Sequence, residues 1–223
     1  MHESAPHERS PGIRAATRRA LLLETRRRAT ATEQAAKRSL RNGLDVDQLQ
    51  TMAEAIRTEP ETGIVTIRTR HRWDEGFAVD GSAEELENAG AVTPRTFPLR
   101  TDWPPDAGGD DSGPTPGELV LAALGACVAS TYATKAASAG VDIDELEVTL
   151  AAPVDFRGLL EVAPVRPGLA GVRATIAVRS EADDVALEAL AEAVRRTSPV
   201  YDTLANPVPI ELSVDCLGEG RQR

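Results

Sequence analysis

The sequence predicts an α+β domain. Three observations carry that expectation: segments of period-two alternation on both sides of the chain's middle, a helical stretch between them that is apolar all round, and an amphipathic helical repeat beyond them. Strands, a buried helix, further strands and another helix in that order differ from a regular βαβ alternation. At 223 residues with 41% apolar content, the chain can bury one core, and with aromatics at 3% that core must be mostly Ala, Val and Leu.

Residues 1–41 carry ten basic and four acidic groups, a basic head of +6 on a body of −16. Ile13 to Leu40 is rich in helix formers but poor in large apolar residues, so a frayed or disordered helical extension is expected. Leu21-Leu22-Leu23 is short of the roughly 7 to 15 apolar residues of a secretory signal, and a cytoplasmic location is expected. Over 42–60, Val46, Leu49, Ala53 and Ile56 recur at helical spacing behind Asp45, a candidate N-cap, and Pro60 ends the helix.

From Gly63 the period changes to two, and 63–71 reads as a strand. Trp73-Asp74-Glu75-Gly76 turns the chain into a second strand that starts at Phe77 and is expected to break at Asp80-Gly81. Residues 92–101, with Pro94 and Pro98, suit an edge strand, and Trp103 to Gly117, dense in Pro, Gly and Asp, is a loop. Glu118 to Ala139 is then a helix with no polar side before Ser130, and Gly140 stops it. Its apolar run, Leu119 to Ala129, is shorter than the roughly 20 residues of a membrane span, so it must be surrounded by protein. Leu146 to Phe156 and Val172 to Val178 alternate as strands, Asp183 to Arg196 is an amphipathic helix, Ser198-Pro199 opens a short helix to Leu204 with Ser198 as its N-cap, and Val208 to Val214 closes as a strand.

A net charge of −10 argues against nucleic acid as a partner, because phosphate neutralisation needs clustered cations. Two cysteines, Cys127 and Cys216, with three histidines supply neither a thiolate zinc site nor a disulfide framework, and no metal or cofactor is expected. By base rates, a cysteine inside a buried helix is a small apolar filler.

The segment Gly113-Pro114-Thr115-Pro116-Gly117-Glu118-Leu119-Val120-Leu121-Ala122-Ala123-Leu124-Gly125-Ala126-Cys127 resembles the central-helix signature of the OsmC/Ohr superfamily, the osmotically induced and organic-hydroperoxide-resistance proteins. Arg196-Thr197-Ser198-Pro199-Val200-Tyr201-Asp202, Asn206-Pro207-Val208-Pro209-Ile210 and Val154-Asp155-Phe156-Arg157-Gly158 extend the likeness over about residues 60–215, within an OsmC-like domain at 61–217 and a tail at 218–223. The resemblance implies an intertwined homodimer, with sheet wrapped around two central helices and thiol sites near the interface. It also implies reduction of organic hydroperoxides by a thiolate on that helix, here Cys127.

Three departures mark a divergent branch. Ser198 stands where peroxidase members carry the resolving cysteine. Gly117 stands where they often place a glutamate, with Glu118 one residue later and about 100° around the helix. The arginine that would favour the thiolate has Arg72 as its nearest candidate. The implied set is therefore Cys127, Arg72 and Glu118 for catalysis, with Ser198 and Tyr201 in the substrate pocket. An external thiol would be the reductant. The alternative is a non-catalytic dimeric module binding a small hydrophobic or acyl-like ligand at the interface, with Cys127 merely packed.

Overall fold

The computed structural model describes residues 40–216; the basic extension expected up to Arg41 lies outside them but for its last two residues. Those two, Leu40–Arg41 (β1), pair with Leu44–Asp45 (β2) in a tight hairpin. Asn42 turns it at φ 51°, a left-handed conformation that Asn tolerates. Its side chain bridges to the far side of the domain, donating to Val141 O at 2.9 Å and accepting from Ile143 N–H at 2.9 Å. Arg41 bonds Gly140 O and the Asp142 carboxylate beside it. Leu40 and Arg41 are thus tied to the body.

Helix α1 (Val46–Thr58) starts at Asp45, whose carboxylate accepts from Gln48 N–H as expected. Pro60 opens a single 3-10 turn that ends it. Strands β3 (Val65–Trp73), β4 (Val79–Asn88) and β5 (Ala91–Thr101) form an antiparallel sheet in the order β3-β4-β5, with the proline-bearing β5 on an edge. Asp80-Gly81 does not break β4. Gly81 lies opposite His71, whose ring would be 2.5 Å from a Cβ there, so glycine serves a close cross-strand approach inside a continuous ladder. The register puts Val65, Ile67, Trp73, Phe97 and Leu99 on one face, where they stand exposed. The other face is charged: Arg68 pairs with Glu85 and Glu87, Arg70 with Glu84, and Arg100 with Asp80 and Asp74.

The loop that follows is closed by one carboxylate. Asp102, buried to 2% exposure, accepts from the Ser112 hydroxyl at 2.7 Å and from the backbone N–H groups of Trp103, Asp110 and Ser112. These bonds, the Ser112 hydroxyl first, hold its carboxyl down at about 2 against an ordinary value of 3.8. A carboxyl depressed in the folded state stabilises it above the unfolded-state value and loses that contribution as pH falls towards 2. Asp102→Asn is therefore expected to lower Tm at neutral pH and to flatten the fall of Tm between about pH 4 and 2. Identical Tm-against-pH curves for the two proteins would contradict this.

Helix α2 (Pro116–Ala139) is begun by a capping box: Glu118 N–H donates to Thr115 Oγ1, and Glu118 Oε2 accepts from Thr115 N–H and Oγ1. Gly140 ends it in the left-handed region. At about 36 Å and with an 18-residue window of mean hydropathy 1.4, α2 is long and apolar enough to cross a membrane by length and composition, unlike the run of residues that suggested otherwise. One side of it is packed on the rest of the domain. Leu124, Val128, Tyr132 and Ala136 form the core with Leu190 and Val194 of α4 (Asp184–Thr197). Tyr132 Oη donates to Leu187 O at 3.0 Å.

A second antiparallel sheet, β6 (Glu145–Ala151) and β7 (Arg173–Arg179), lays Leu146, Val148, Leu150, Ile176 and Val178 on that core. Gly125 admits it, since a Cβ there would lie 2.8 Å from Leu150 Cδ1. The sequence extended β6 to Phe156. Instead it stops at Ala151, a bridge pairs Val154 with Leu169, and Phe156–Leu159 forms a short helix, α3, because Asp155 caps Arg157 N–H. Helix α5 (Pro199–Ala205) completes the described elements.

The single chain leaves one side of α2 uncovered, and one expectation is corrected. Among the described residues α2 is buried on one side only, with Ala122, Ala123 and Ala126 exposed on the other. The expected closing strand is absent: Val208 to Val214 joins no ladder, and Ile210, Leu212 and Val214 are 86%, 93% and 87% exposed. An alternating pattern becomes a strand only where a sheet edge lies beside it.

Candidate functional site

Cys127 sits half-buried in the middle of α2, where the rigid helix and the Leu124–Val128 core fix its direction. Facing it is Ser198, fully buried, whose hydroxyl donates to Cys127 Sγ at 3.2 Å. Ser198 occupies the N-cap position of α5 in backbone terms, yet its side chain makes no cap bond. The hydroxyl that would cap is turned to the sulfur. The cap expected from Ser198-Pro199 is thus replaced by a hydroxyl–thiol contact, while Ser198 N–H still bonds Val194 O and Ser198 O accepts from Asp202 N–H.

One turn before Cys127, Leu124 borders a cleft of about 600 Å³. Tyr201, three residues after Ser198, lines it too, together with Val120, Leu169, Val172 and Leu204. Its single charged lining side chain is Arg166. A neighbouring cavity of about 390 Å³ shares Pro116, Gly117 and Leu169 with it and is walled by Trp103 and Phe156. Those two rings lie 5.0 Å apart, and Trp103 stacks on Phe77 at 5.0 Å. The arrangement sets a thiol against a hydroxyl donor, with an apolar cleft one helical turn away at Leu124 and Tyr201.

Of the five residues singled out in the sequence, the fold brings Cys127 and Ser198 into contact and sets Tyr201 in the adjoining cleft. The other two are placed elsewhere within the chain. Glu118 is spent on the capping box, whose bonds from Thr115 N–H and Oγ1 hold its carboxyl below the usual range. It lies about 13 Å along the helix axis from Cys127. Arg72 is exposed on β3 opposite Asp80, and among the described residues no hydrogen bond or ion pair joins it to Cys127. Cys216, the last described residue, is exposed. Arg166 escaped sequence reading because it lies in an irregular segment without period; the Thr115-x-x-Glu118 spacing, by contrast, could have revealed the capping box.

A hydroxyl–thiol contact joins the middle of α2 to the start of α5 in this α+β domain, and residues 109–213 match a family model described as OsmC-like protein. The match covers that segment, a little under half of the chain, and makes it OsmC-like. Solved structures similar to it include an OsmC-like protein from Mycoplasma pneumoniae, at 15% identity and TM-score 0.49 over 64% of this chain and 89% of that one. Others are the organic hydroperoxide resistance protein OsmC from Legionella pneumophila, at 15% identity and TM-score 0.42 over 62% and 88%, and an OsmC-like hydroperoxide resistance protein from Jannaschia sp. CCS1, at 19% and 0.37 over 68% and 93%. No curated protein matches the sequence.

Proposed function

We propose that the protein is a thiol-dependent peroxidase that reduces organic hydroperoxides through Cys127 and is recycled by an external thiol. The observation that carries this reading is the Ser198 hydroxyl at 3.2 Å from Cys127 Sγ, with an apolar cleft one helical turn away at Leu124. The Cys127 thiolate attacks one peroxide oxygen, the O–O bond breaks, and the alkoxide leaves as the alcohol after taking a proton. Cys127 becomes a sulfenic acid. An external thiol then attacks that sulfur, releasing water and leaving a mixed disulfide, and a second thiol frees Cys127 as the external disulfide departs. Ser198 has no thiol to offer, so resolution falls to an external thiol or to Cys216. The test is loss of one thiol per chain on adding cumene hydroperoxide.

The non-catalytic reading is favoured by one feature only, a cleft that could hold an apolar ligand whether or not Cys127 reacts.

The working form is a homodimer. Three surfaces support it: the apolar face of the β3-β4-β5 sheet, the exposed Ala122, Ala123 and Ala126 side of α2, and the alternating apolar tail from Val208 to Val214. Each is built to be covered, and together they suit an obligate interface. A second copy could add a cation, Arg72 among the candidates, that the single chain does not bring to Cys127. Sedimentation velocity at micromolar concentration is expected to give a dimer, and a folded monomer would contradict it.

A further inference from the structure

The Ser198 hydroxyl makes neither of the local bonds open to it. Hydroxyls elsewhere on the helices turn back on their own turn: Thr51, Thr58, Thr134, Thr197 and Thr203 each donate to the carbonyl four residues earlier, at 3.0 Å or less. Ser198, as the residue before Pro199, could instead cap α5, yet its side chain makes no cap bond. It donates to Cys127 Sγ at 3.2 Å from a fully buried position.

The contact is held from both ends. Ser198 N–H donates to Val194 O and Ser198 O accepts from Asp202 N–H, each at 2.9 Å, and Pro199 restricts the backbone of Ser198 to the extended region, where it lies at φ −80° and ψ 115°. On α2, Cys127 stands between the buried Leu124 and Val128. A hydroxyl bond to a neutral thiol is weak, whereas a bond to a negatively charged acceptor is roughly twice as strong as a neutral one. In the proposed reaction the sulfur becomes such an acceptor, first as the thiolate and then as the sulfenate.

A sulfenate that meets a second hydroperoxide is lost to further oxidation. A sulfur lone pair attacks one peroxide oxygen, the O–O bond breaks, the sulfur keeps that oxygen as a sulfinic acid, and the alkoxide leaves as the alcohol after taking a proton. Thiols do not reverse that step. A lone pair engaged by the Ser198 hydroxyl is not free to attack. We infer that Ser198 holds oxidised Cys127 at the sulfenate stage and keeps it reducible until a thiol arrives. The inference rests on the peroxidase reading and deepens it by assigning a task to the hydroxyl that faces the sulfur.

The test uses the full chain carrying Cys216→Ser, in which Cys127 is the single thiol, with and without Ser198→Ala. Alanine is smaller than serine, and the bond it removes ends on sulfur, a weak acceptor, so the variant should fold. Both chains are exposed to excess cumene hydroperoxide without reductant. Intact mass spectrometry follows the gain of one oxygen, trapped by dimedone, and then of a second. The rate of the second oxidation relative to the first is expected to rise at least about tenfold in Ser198→Ala, as for the loss of one hydrogen bond to a charged group. Alkylation of reduced Cys127 by iodoacetamide should not become faster. If alkylation and the second oxidation rise together, the hydroxyl merely closes the site, and the inference falls. Equal ratios in the two chains, or a parent that reaches the sulfinic acid without accumulating the sulfenic acid, overturn it and leave the peroxidase reading standing. A parent thiol that never gains the first oxygen overturns both.

Discussion

Ser198→Cys is expected to close an intramolecular disulfide to Cys127 on exposure to about one equivalent of an organic hydroperoxide, where the wild-type chain forms none. The sulfenic acid formed at Cys127 would then have a thiol where the wild type has a hydroxyl 3.2 Å away. A disulfide needs about 2.05 Å between sulfurs, and the longer C–S bond of cysteine carries its sulfur further towards Cys127 than the serine oxygen reaches. Both positions stand on rigid elements, the middle of α2 and the first residue before α5, so little backbone movement is required. The cost is steric. Ser198 is fully buried, and the bulkier thiol should destabilise the reduced variant by about 1 kcal/mol. No helix cap is lost, since the serine side chain makes no cap bond. Once formed, the bond closes a loop between positions 71 apart, which the chain-entropy account values at about 4 kcal/mol. Intact mass spectrometry reads the bond as a loss of two hydrogens that dithiothreitol restores. If both thiols persist under excess hydroperoxide, Cys127 is not an attacking group.

How much of this was legible in the sequence varies with the source of each signal. Helix termini were readable because capping is local: Asp45 and Gly140 act where their spacing placed them, and Asp183, read as the first helical residue, proves to be the cap. The buried helix was readable because an apolar run needs no partner to be recognised. Strand limits were less so. Gly81 looks like a breaker until His71 is seen across the ladder, and Val208 to Val214 alternates like a strand although no sheet edge among the described residues receives it. The Cys127–Ser198 contact spans 71 positions and follows from how α4 returns the chain to α2, which no local pattern encodes; the family resemblance alone pointed to it. Ser198 as a helix cap was the local reading, and tertiary packing overrode it by giving the hydroxyl a sulfur. Arg166 had no signal, because its significance comes from being the one charge on an apolar wall.

The account's central claim is that Cys127 is a nucleophile towards organic hydroperoxides. The chain's two thiols make the claim countable, since Cys127 is half-buried against Ser198 while Cys216 is exposed in the tail. Exposure alone would favour oxidation of Cys216, so oxidation at the less accessible thiol would report a built site. The apolar cleft should favour a bulky apolar peroxide over a small polar one. The decisive measurement is thiol loss per chain, followed in time and mapped by mass spectrometry, in the wild type, Cys127→Ser and Cys216→Ser under equal cumene hydroperoxide or hydrogen peroxide. The expected result is loss of one thiol at Cys127, at least about tenfold faster with cumene hydroperoxide, unchanged in Cys216→Ser and absent in Cys127→Ser. Loss confined to Cys216, or a Cys127 that stays reduced while the protein is folded, would contradict the proposed reaction and leave the cleft as a ligand site with the cysteine as filler.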